Sequence, residues 1–315
     1  MKYFNVGLIG TGRMATEHFK TLKYFKNYKV TAVCSRNLLN SKKFAKKFNI
    51  PQHYNNLKKF LSIKYDLVII CVPPTEKFNI IKKVALKKMN ILMEKPLGLN
   101  FDEAKQIIDY LKYINFKKNF FLGYNRRYLG SVLHLQNKLK KNKKPRVILV
   151  EDQQDTEKAE KIGHSKKVIK NWMYANSIHV IDLLNFFTRG KITKIQTKKI
   201  NFSKKKFIIF CKIKFSSGDN CIYTAKWNIT GRWTINIVSG NENYLLSPLE
   251  VLKVKNKSLV KEYKSFKMEK KLKPGFFYQF KEIDKVMNKK YGNVVQIHNA
   301  INSVNLVNKI YKNVQ

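Results

Sequence analysis

Arginine is scarce in this chain. Seven of its 64 basic side chains are arginine, at positions 13, 36, 126, 127, 146, 189 and 232, and the others are lysine. Acidic residues are few as well, 20 over 315 residues, which leaves a formal charge of +44. Such a balance raises the question of nucleic acid, yet the residue suited to bidentate phosphate and guanine recognition is the one in short supply. The lysines run the whole length, mostly as pairs on polar helix faces. With abundant Asn, Ile, Phe and Tyr and little Gly or Pro, they read as a compositional bias, so no specific nucleic-acid partner is expected. Cysteine is limited to 34, 71, 211 and 221, with no CxxC pair, which argues against a zinc or disulfide framework and for buried thiols in a reducing compartment. No metal site is expected. No apolar run approaches the ~18 residues of a membrane span, and the first strand begins too close to Met1 for a signal peptide. A cytoplasmic globular protein of two domains is the expectation.

What is present begins at the N-terminus. An apolar run from Tyr3 to Ile9 leads into Gly10-Thr11-Gly12, and a helical pattern opens at Arg13-Met14-Ala15. Strand, glycine turn and helix in that order are the fingerprint of a dinucleotide site, with Ala15 in the third small position. Gly10 permits the turn, Gly12 lets the backbone approach a pyrophosphate, and the helix N-terminus offers unpaired N–H groups. Thr11, Arg13 and Met14 complete the predicted cofactor turn. Further strands are expected at Lys29–Cys34, Asp66–Cys71, Asn90–Met93 and Asn119–Leu122, alternating with helices at Met14–Phe25, Leu38–Phe48, Phe78–Lys88 and Phe101–Ile114. Runs such as Leu67-Val68-Ile69-Ile70 are apolar throughout, as in strands buried on both faces of a parallel sheet. Residues 1–123 are therefore assigned to a Rossmann, doubly wound domain.

Three features mark its carboxyl edge. The second strand ends in Ser35-Arg36 where an NAD enzyme usually carries an acid, so the spacing favours NADP over NAD. The third ends before Pro73-Pro74, a loop placed where a cofactor would lie. The fourth ends in Glu94-Lys95-Pro96, which sets a lysine at the edge to face a ligand; taken alone in a lysine-rich chain, the tripeptide reads rather as a solvated turn. A Lys-Pro bond also admits the cis form.

From residue 124 the character changes. A helix is expected at Tyr128–Leu139, a strand at Arg146–Val150, a polar irregular loop over 151–170 and a helix at Ala175–Phe187. Runs at 191–202, 205–215, 219–229, 232–239 and 243–263 predict five or six strands of one large, mostly antiparallel open sheet, with a hairpin turn at Ser216–Asp219. Two helices close the chain, after Pro274-Gly275 and from Val294. Residues 124–315 are assigned to a second, α+β domain for substrate binding and oligomerisation, and its apolar open face suggests a homo-oligomer, a dimer or tetramer.

Together, Gly10–Ala15, Val72-Pro73-Pro74, Glu94-Lys95-Pro96-Leu97, Gly123–Tyr128 and His179-Val180-Ile181-Asp182 resemble, in that order, the glucose–fructose oxidoreductase, inositol dehydrogenase and MocA family. The resemblance covers nearly the whole chain. It implies hydride transfer between a nicotinamide cofactor and a carbinol of a sugar, nucleotide sugar or polyol. The family lysine falls on Lys95 and the catalytic histidine on His179, whose ordinary pKa near ~6.5 suits proton exchange with a hydroxyl. Glu94 and Pro96 would hold Lys95, and Arg127 would fix either the interdomain geometry or an anionic substrate group. The chain departs from the family at two positions. Ala175 stands where polyol dehydrogenases carry an aspartate, with Asn176 beside it to substitute, and Lys77 replaces a histidine of the proline loop. Ala175 motivates the alternative of a non-catalytic NADP or sugar sensor on the same fold. The family's NAD-dependent glycosidases fit less well, because of Ser35-Arg36 and the lack of a Gly-Gly-His segment.

Overall fold

The computed structural model describes residues 2–256, 259–263, 265–312 and 314. The chain divides into two compact units, residues 1–124 with 276–301, and residues 125–275 with 302–315. The first is built from β1 (Phe4–Ile9), α1 (Arg13–Leu22), β2 (Tyr28–Cys34), α2 (Leu38–Phe48), β3 (Gln52–Tyr54), α3 (Leu57–Phe60), β4 (Leu67–Ile70), α4 (Lys77–Leu86), β5 (Asn90–Glu94), α5 (Phe101–Tyr113) and β6 (Phe120–Gly123). Its six strands are all parallel in the order β3-β2-β1-β4-β5-β6. That order reverses direction between β1 and β4, and ligands of doubly wound sheets lie at the carboxyl ends of the strands flanking such a reversal. All four residues of β4 are fully buried, as its unbroken apolar run requires.

In the second unit come α6 (Gly130–Lys141), β7 (Arg146–Gln154), α7 (Thr156–Lys161), α8 (Lys166–Lys170), a π-helical turn at Met173–Ser177 and α9 (Ile178–Phe187). Seven strands follow: β8 (Ile192–Asn201), β9 (Phe207–Phe215), β10 (Asn220–Trp227), β11 (Thr234–Ser239), β12 (Glu242–Leu246), β13 (Leu252–Lys255) and β14 (Val260–Tyr263). With β7 they form an eight-stranded sheet, β14-β13-β12-β11-β7-β10-β9-β8, antiparallel except where β7 meets β10. Burial alternates along β7, β9 and β10, so one face is covered and the other is open. On the open face Val147, Leu149, Phe210, Ile222 and Val238 are each more than a third exposed.

The α/β architecture is the expected one, with four local differences. Residues 151–170 are not a loop: β7 runs on to Gln154, and α7 and α8 follow, capped by the side chains of Asp155 and Ser165. The helix expected at Ala175–Phe187 begins as a π-turn at Met173. The run 243–263 breaks into β12, β13 and β14, with Lys257 and Ser258 outside the described residues. Finally, of the two closing helices, α10 (Phe276–Met287) belongs to the first unit and not the second. Its Phe280 packs on Phe25 and Tyr28, at ring-centroid distances of 4.8 and 4.9 Å, and its Ile283 joins the core under β1. The division between the units runs through the last helix, α11 (Ile297–Tyr311). No helix among the described residues is long and apolar enough to cross a membrane.

Candidate active site

β1 ends at Ile9, and the chain turns through Gly10 at φ 106°. A Cβ there would sit 2.3 Å from the Cys71 carbonyl oxygen, so the ends of β1 and β4 approach only because position 10 carries no side chain. Gly12 differs: nothing lies within 4 Å of where its Cβ would be, and no side chain caps the first turn of α1. The leading N–H groups of this ten-residue helix, which Arg13 and Met14 open, therefore lack a side-chain cap. Around the turn lies a cavity of about 460 Å³, bounded by Gly10, Thr11, Gly12, Ser35, Arg36 and Pro73, with Asn79 and Lys83 entering from α4. The hydroxyls of Thr11 and Ser35 are 3.5 Å apart. Arg36 extends into solvent, its side chain 79% exposed and its Nη1 3.3 Å from the Glu76 carboxylate. This cradle fits a dinucleotide: an uncapped helix end for the pyrophosphate, glycine where the backbone must be approached, and a guanidinium at the ribose end.

Glu94 closes β5, and the Lys95-Pro96 bond that follows is cis. From the sequence, Glu94 is expected to hold Lys95. In the structure its buried carboxylate meets the Nε2 of His18, from α1, at 2.7 Å. Burial acts to raise the pKa of Glu94, but the His18 hydrogen bond and the charges of His18, Lys77 and Lys95 outweigh it, leaving Glu94 below its ordinary value. Beneath the same turn lies Lys77, 2% exposed. Its Nζ donates to the backbone oxygen of Glu94 and, at 3.0 Å, to that of Pro96. The ammonium thus grips the backbone on both sides of Lys95. Burial pushes Lys77 down to about 7, the charge of Lys95 adds to this, and Glu94 and Cys71 oppose it.

In the second unit, His179 lies on α9, 8% exposed, with its ring centroid 6.2 Å from that of Trp233. One turn further along α9, Asp182 accepts two hydrogen bonds from Arg127, at 2.6 and 2.7 Å, and a third from Ser303 at 2.7 Å. Arg127 is therefore committed to protein geometry: its fork fastens the 3-10 turn at Asn125–Tyr128 to α9. Asn176 donates to Gln154 Oε1 at 2.8 Å, and Gln154 in turn donates to Asp152. Asp152 is fully buried and also accepts from Tyr223 at 2.5 Å; burial raises its pKa more than these bonds lower it. Asn176 is thus anchored to β7 through a buried polar chain, beneath the segment that carries Ala175.

Sequence reasoning missed His18 and Lys77 as supports of Lys95, and Trp233 beside His179. The signal for His18 was present, a polar residue interrupting the buried stripe of Ala15, Phe19 and Leu22. For Lys77 it was the replaced histidine.

Residues 4–115 match the family described as "Oxidoreductase family, NAD-binding Rossmann fold", GFO_IDH_MocA. Over this Rossmann portion the chain is similar to that family. A curated relative, the uncharacterized protein YMR315W of Saccharomyces cerevisiae, is 31% identical over 113 residues, which cover 34% of this chain and 32% of that one. The aligned part thus spans about a third of the relative's length. Among solved structures, a dehydrogenase from Chromobacterium violaceum superposes with a TM-score of 0.85 at 16% identity, covering 99% of this chain and 96% of the other. UDP-N-acetylglucosamine 3-dehydrogenase from Acidithiobacillus ferrooxidans does so with 0.78 at 13% identity, covering 98% and 97%. At these identities the two structures show a shared fold over both units.

Proposed function

We propose that this protein is an NADP(H)-dependent oxidoreductase acting on a carbinol of a sugar, nucleotide sugar or polyol. The observation that carries the reading is the Lys95 turn: a lysine at the carboxyl end of β5, its backbone gripped on both sides by the buried Lys77 amine and preceded by a buried glutamate hydrogen-bonded to His18. A protein with no use for a fixed lysine at that edge has no reason to bury two charged groups beneath it. The substrate class draws support from the family over residues 4–115 and from the sugar nucleotide named in the Acidithiobacillus relative.

Gly10, Thr11, Gly12 and the start of α1 would hold the pyrophosphate, and Ser35 and Arg36 the 2′-phosphate. A bound nicotinamide supplies the hydride acceptor or donor. Lys95 donates a hydrogen bond to the reacting oxygen and favours its ionised form, and His179 exchanges the hydroxyl proton. Pro73 shapes the loop beside the cofactor, and Asn176 holds the polypeptide leading into His179. A cytoplasmic setting accords with the four free thiols, and the open, partly apolar sheet face supports self-association as a dimer or tetramer.

The decisive test is Lys95→Ala in a cofactor-reduction assay with NADP and NAD over sugars, sugar acids, polyols and nucleotide sugars. Turnover is expected to fall at least about a thousandfold while NADPH binding, read by its fluorescence, is unchanged. Undiminished turnover would refute the assignment. The buried Ala175, which cannot orient the histidine as a carboxylate would, favours a second reading, a cofactor-dependent sugar sensor. Retained NADPH binding with no turnover by the wild type on any member of the panel would decide for that reading.

A further inference from the structure

Arginine is so rare here that its placement is informative. In a chain that uses lysine for nearly every cation, arginine persists where a planar fork is needed. Arg127 forks onto Asp182, Arg189 onto Asp219, and Arg146 donates to the carbonyls of Phe187 and Leu139. Two arginines of the second unit differ. Arg126 gives one Nη to Glu250, and the rest of its guanidinium lies over the Trp233 ring, 5.8 Å from the centroid. Arg232 makes no side-chain hydrogen bond among the described residues, yet its backbone is fixed. Its N–H donates to Glu151 at 3.1 Å, and the preceding Gly231 lies so close to β7 and β10 that a Cβ would come within 3.0 Å of Glu151 and of Lys226.

Arg126 and the exposed Arg232 both line one cavity of about 390 Å³, walled by Trp233 and the Ser247–Glu250 turn. Among the described residues that line the cavity Glu250 is the one acid, and Arg126 already pairs with it, so the lining keeps a net positive charge. Trp233 is itself held by its Nε1, which donates to the Gln153 carbonyl at 2.9 Å. The same indole that borders this cavity stands beside His179. We propose that the cavity is the substrate's oxyanion subsite: Arg232 and the free edge of Arg126 bind a carboxylate or phosphoryl group of a sugar derivative whose ring rests against Trp233. The inference rests on the substrate reading above and narrows it from carbinols in general to charged sugars, either sugar acids or sugar phosphates and nucleotide sugars. Fork-shaped donors suit both oxyanions. A neutral polyol would leave the cationic cavity unmatched.

The test is calorimetric binding to the full-length protein, with D-gluconate, glucose 6-phosphate and UDP-N-acetylglucosamine as charged probes and myo-inositol as the neutral one. At least one charged probe is expected to bind, to be displaced by inorganic phosphate, and to weaken as salt rises. Arg232→Ala should reduce its affinity about ten- to a hundredfold, and Arg232→Lys should recover only part, since an ammonium cannot fork. Binding of gluconate alone identifies a sugar acid; binding of the phosphate probes alone identifies a phosphorylated substrate. If myo-inositol binds as well as the charged probes, or if Arg232→Ala leaves charged-probe affinity unchanged, the subsite is overturned. Binding is read without turnover, so the two proposals fail separately. Arg232-dependent binding with no cofactor reduction would keep the subsite and refute the hydride chemistry; turnover of a neutral polyol, insensitive to Arg232→Ala, would do the reverse.

Discussion

Lys77 offers the sharpest quantitative test of how the Lys95 turn is held. The perturbation is Lys77→Met, which keeps most of the buried stem and removes the amine. Two carbonyl oxygens, those of Glu94 and Pro96, then lose a buried donor. At ~1–2 kcal/mol for each unsatisfied buried acceptor, the loss is about 2–4 kcal/mol. The pH dependence is more telling than the size. Folding lowers the Lys77 pKa from 10.5 to about 7, with burial as the main cause. Between those values the unfolded chain binds more protons than the folded one, so stability from this group rises with pH. Below about 7 both states are protonated and the penalty for burying the charge is constant. The groups facing Lys77 are Glu94, Lys95 and Cys71, and burial raises the Cys71 thiol well above its ordinary value.

The stability difference between wild type and Lys77→Met should therefore grow as pH rises from 7 towards 10, with a slope of up to about 1.4 kcal/mol per pH unit. Urea unfolding of both proteins at several pH values across that range measures it, and taking the difference removes groups common to the two. Lys77→Arg is the companion: its guanidinium keeps the donors but does not titrate, so the slope should vanish. A difference independent of pH, or one that shrinks with rising pH, would refute the buried, depressed ammonium and with it the clamp on Lys95.

The remaining predictions address other joints of the structure. Asp182→Asn should destabilise by about 3–5 kcal/mol, because it leaves Arg127 facing a neutral amide within a largely buried pair; a urea midpoint within error of wild type would show that the fork does not fasten α9. Arg36→Ala should weaken NADPH binding about tenfold or more and NADH binding little, measured by nucleotide fluorescence titration. Equal losses for the two nucleotides would assign Arg36 to the Glu76 pair alone.

How far the sequence is legible depends on which force sets each feature. β4 reads directly because a strand buried on both faces must be apolar throughout, and Leu67–Ile70 admits no competing reading beside two turns. The glycine turn reads for a similar reason, since only glycine fits where Cys71 approaches. Residues 151–170 misread because α7 and α8 are six and five residues long, too short to announce themselves by periodicity. They stand on a cap each and on one buried apolar residue each, Ala159 and Val168. α10 was recognisable as an amphipathic helix, but nothing local states which sheet it covers. That is decided by Phe25 and Tyr28, some 250 residues away in the chain, meeting Phe280. The buried chain from Asn176 through Gln154 to Asp152 was likewise hidden, because it depends on β7 lying beside the π-turn.

The supports of Lys95 suggest why its turn and the glycine turn occur together. α1 starts at the glycine turn, and six residues beyond Gly12 it presents His18 to Glu94. The helix whose N-terminus faces the dinucleotide cavity therefore also anchors the residue next to Lys95. β6 closes over that anchor, with Gly123 so near Glu94 that a Cβ would lie 3.0 Å from its carboxylate oxygen. From the other side α4, whose Asn79 and Lys83 line the same cavity, sends Lys77 to the backbone around Lys95. Each helix thus borders the glycine-turn cavity and also helps to fix the backbone around Lys95. The position of Lys95 is in this way set by the same frame that borders the glycine-turn cavity, which a lone surface lysine on this strongly basic chain would not share.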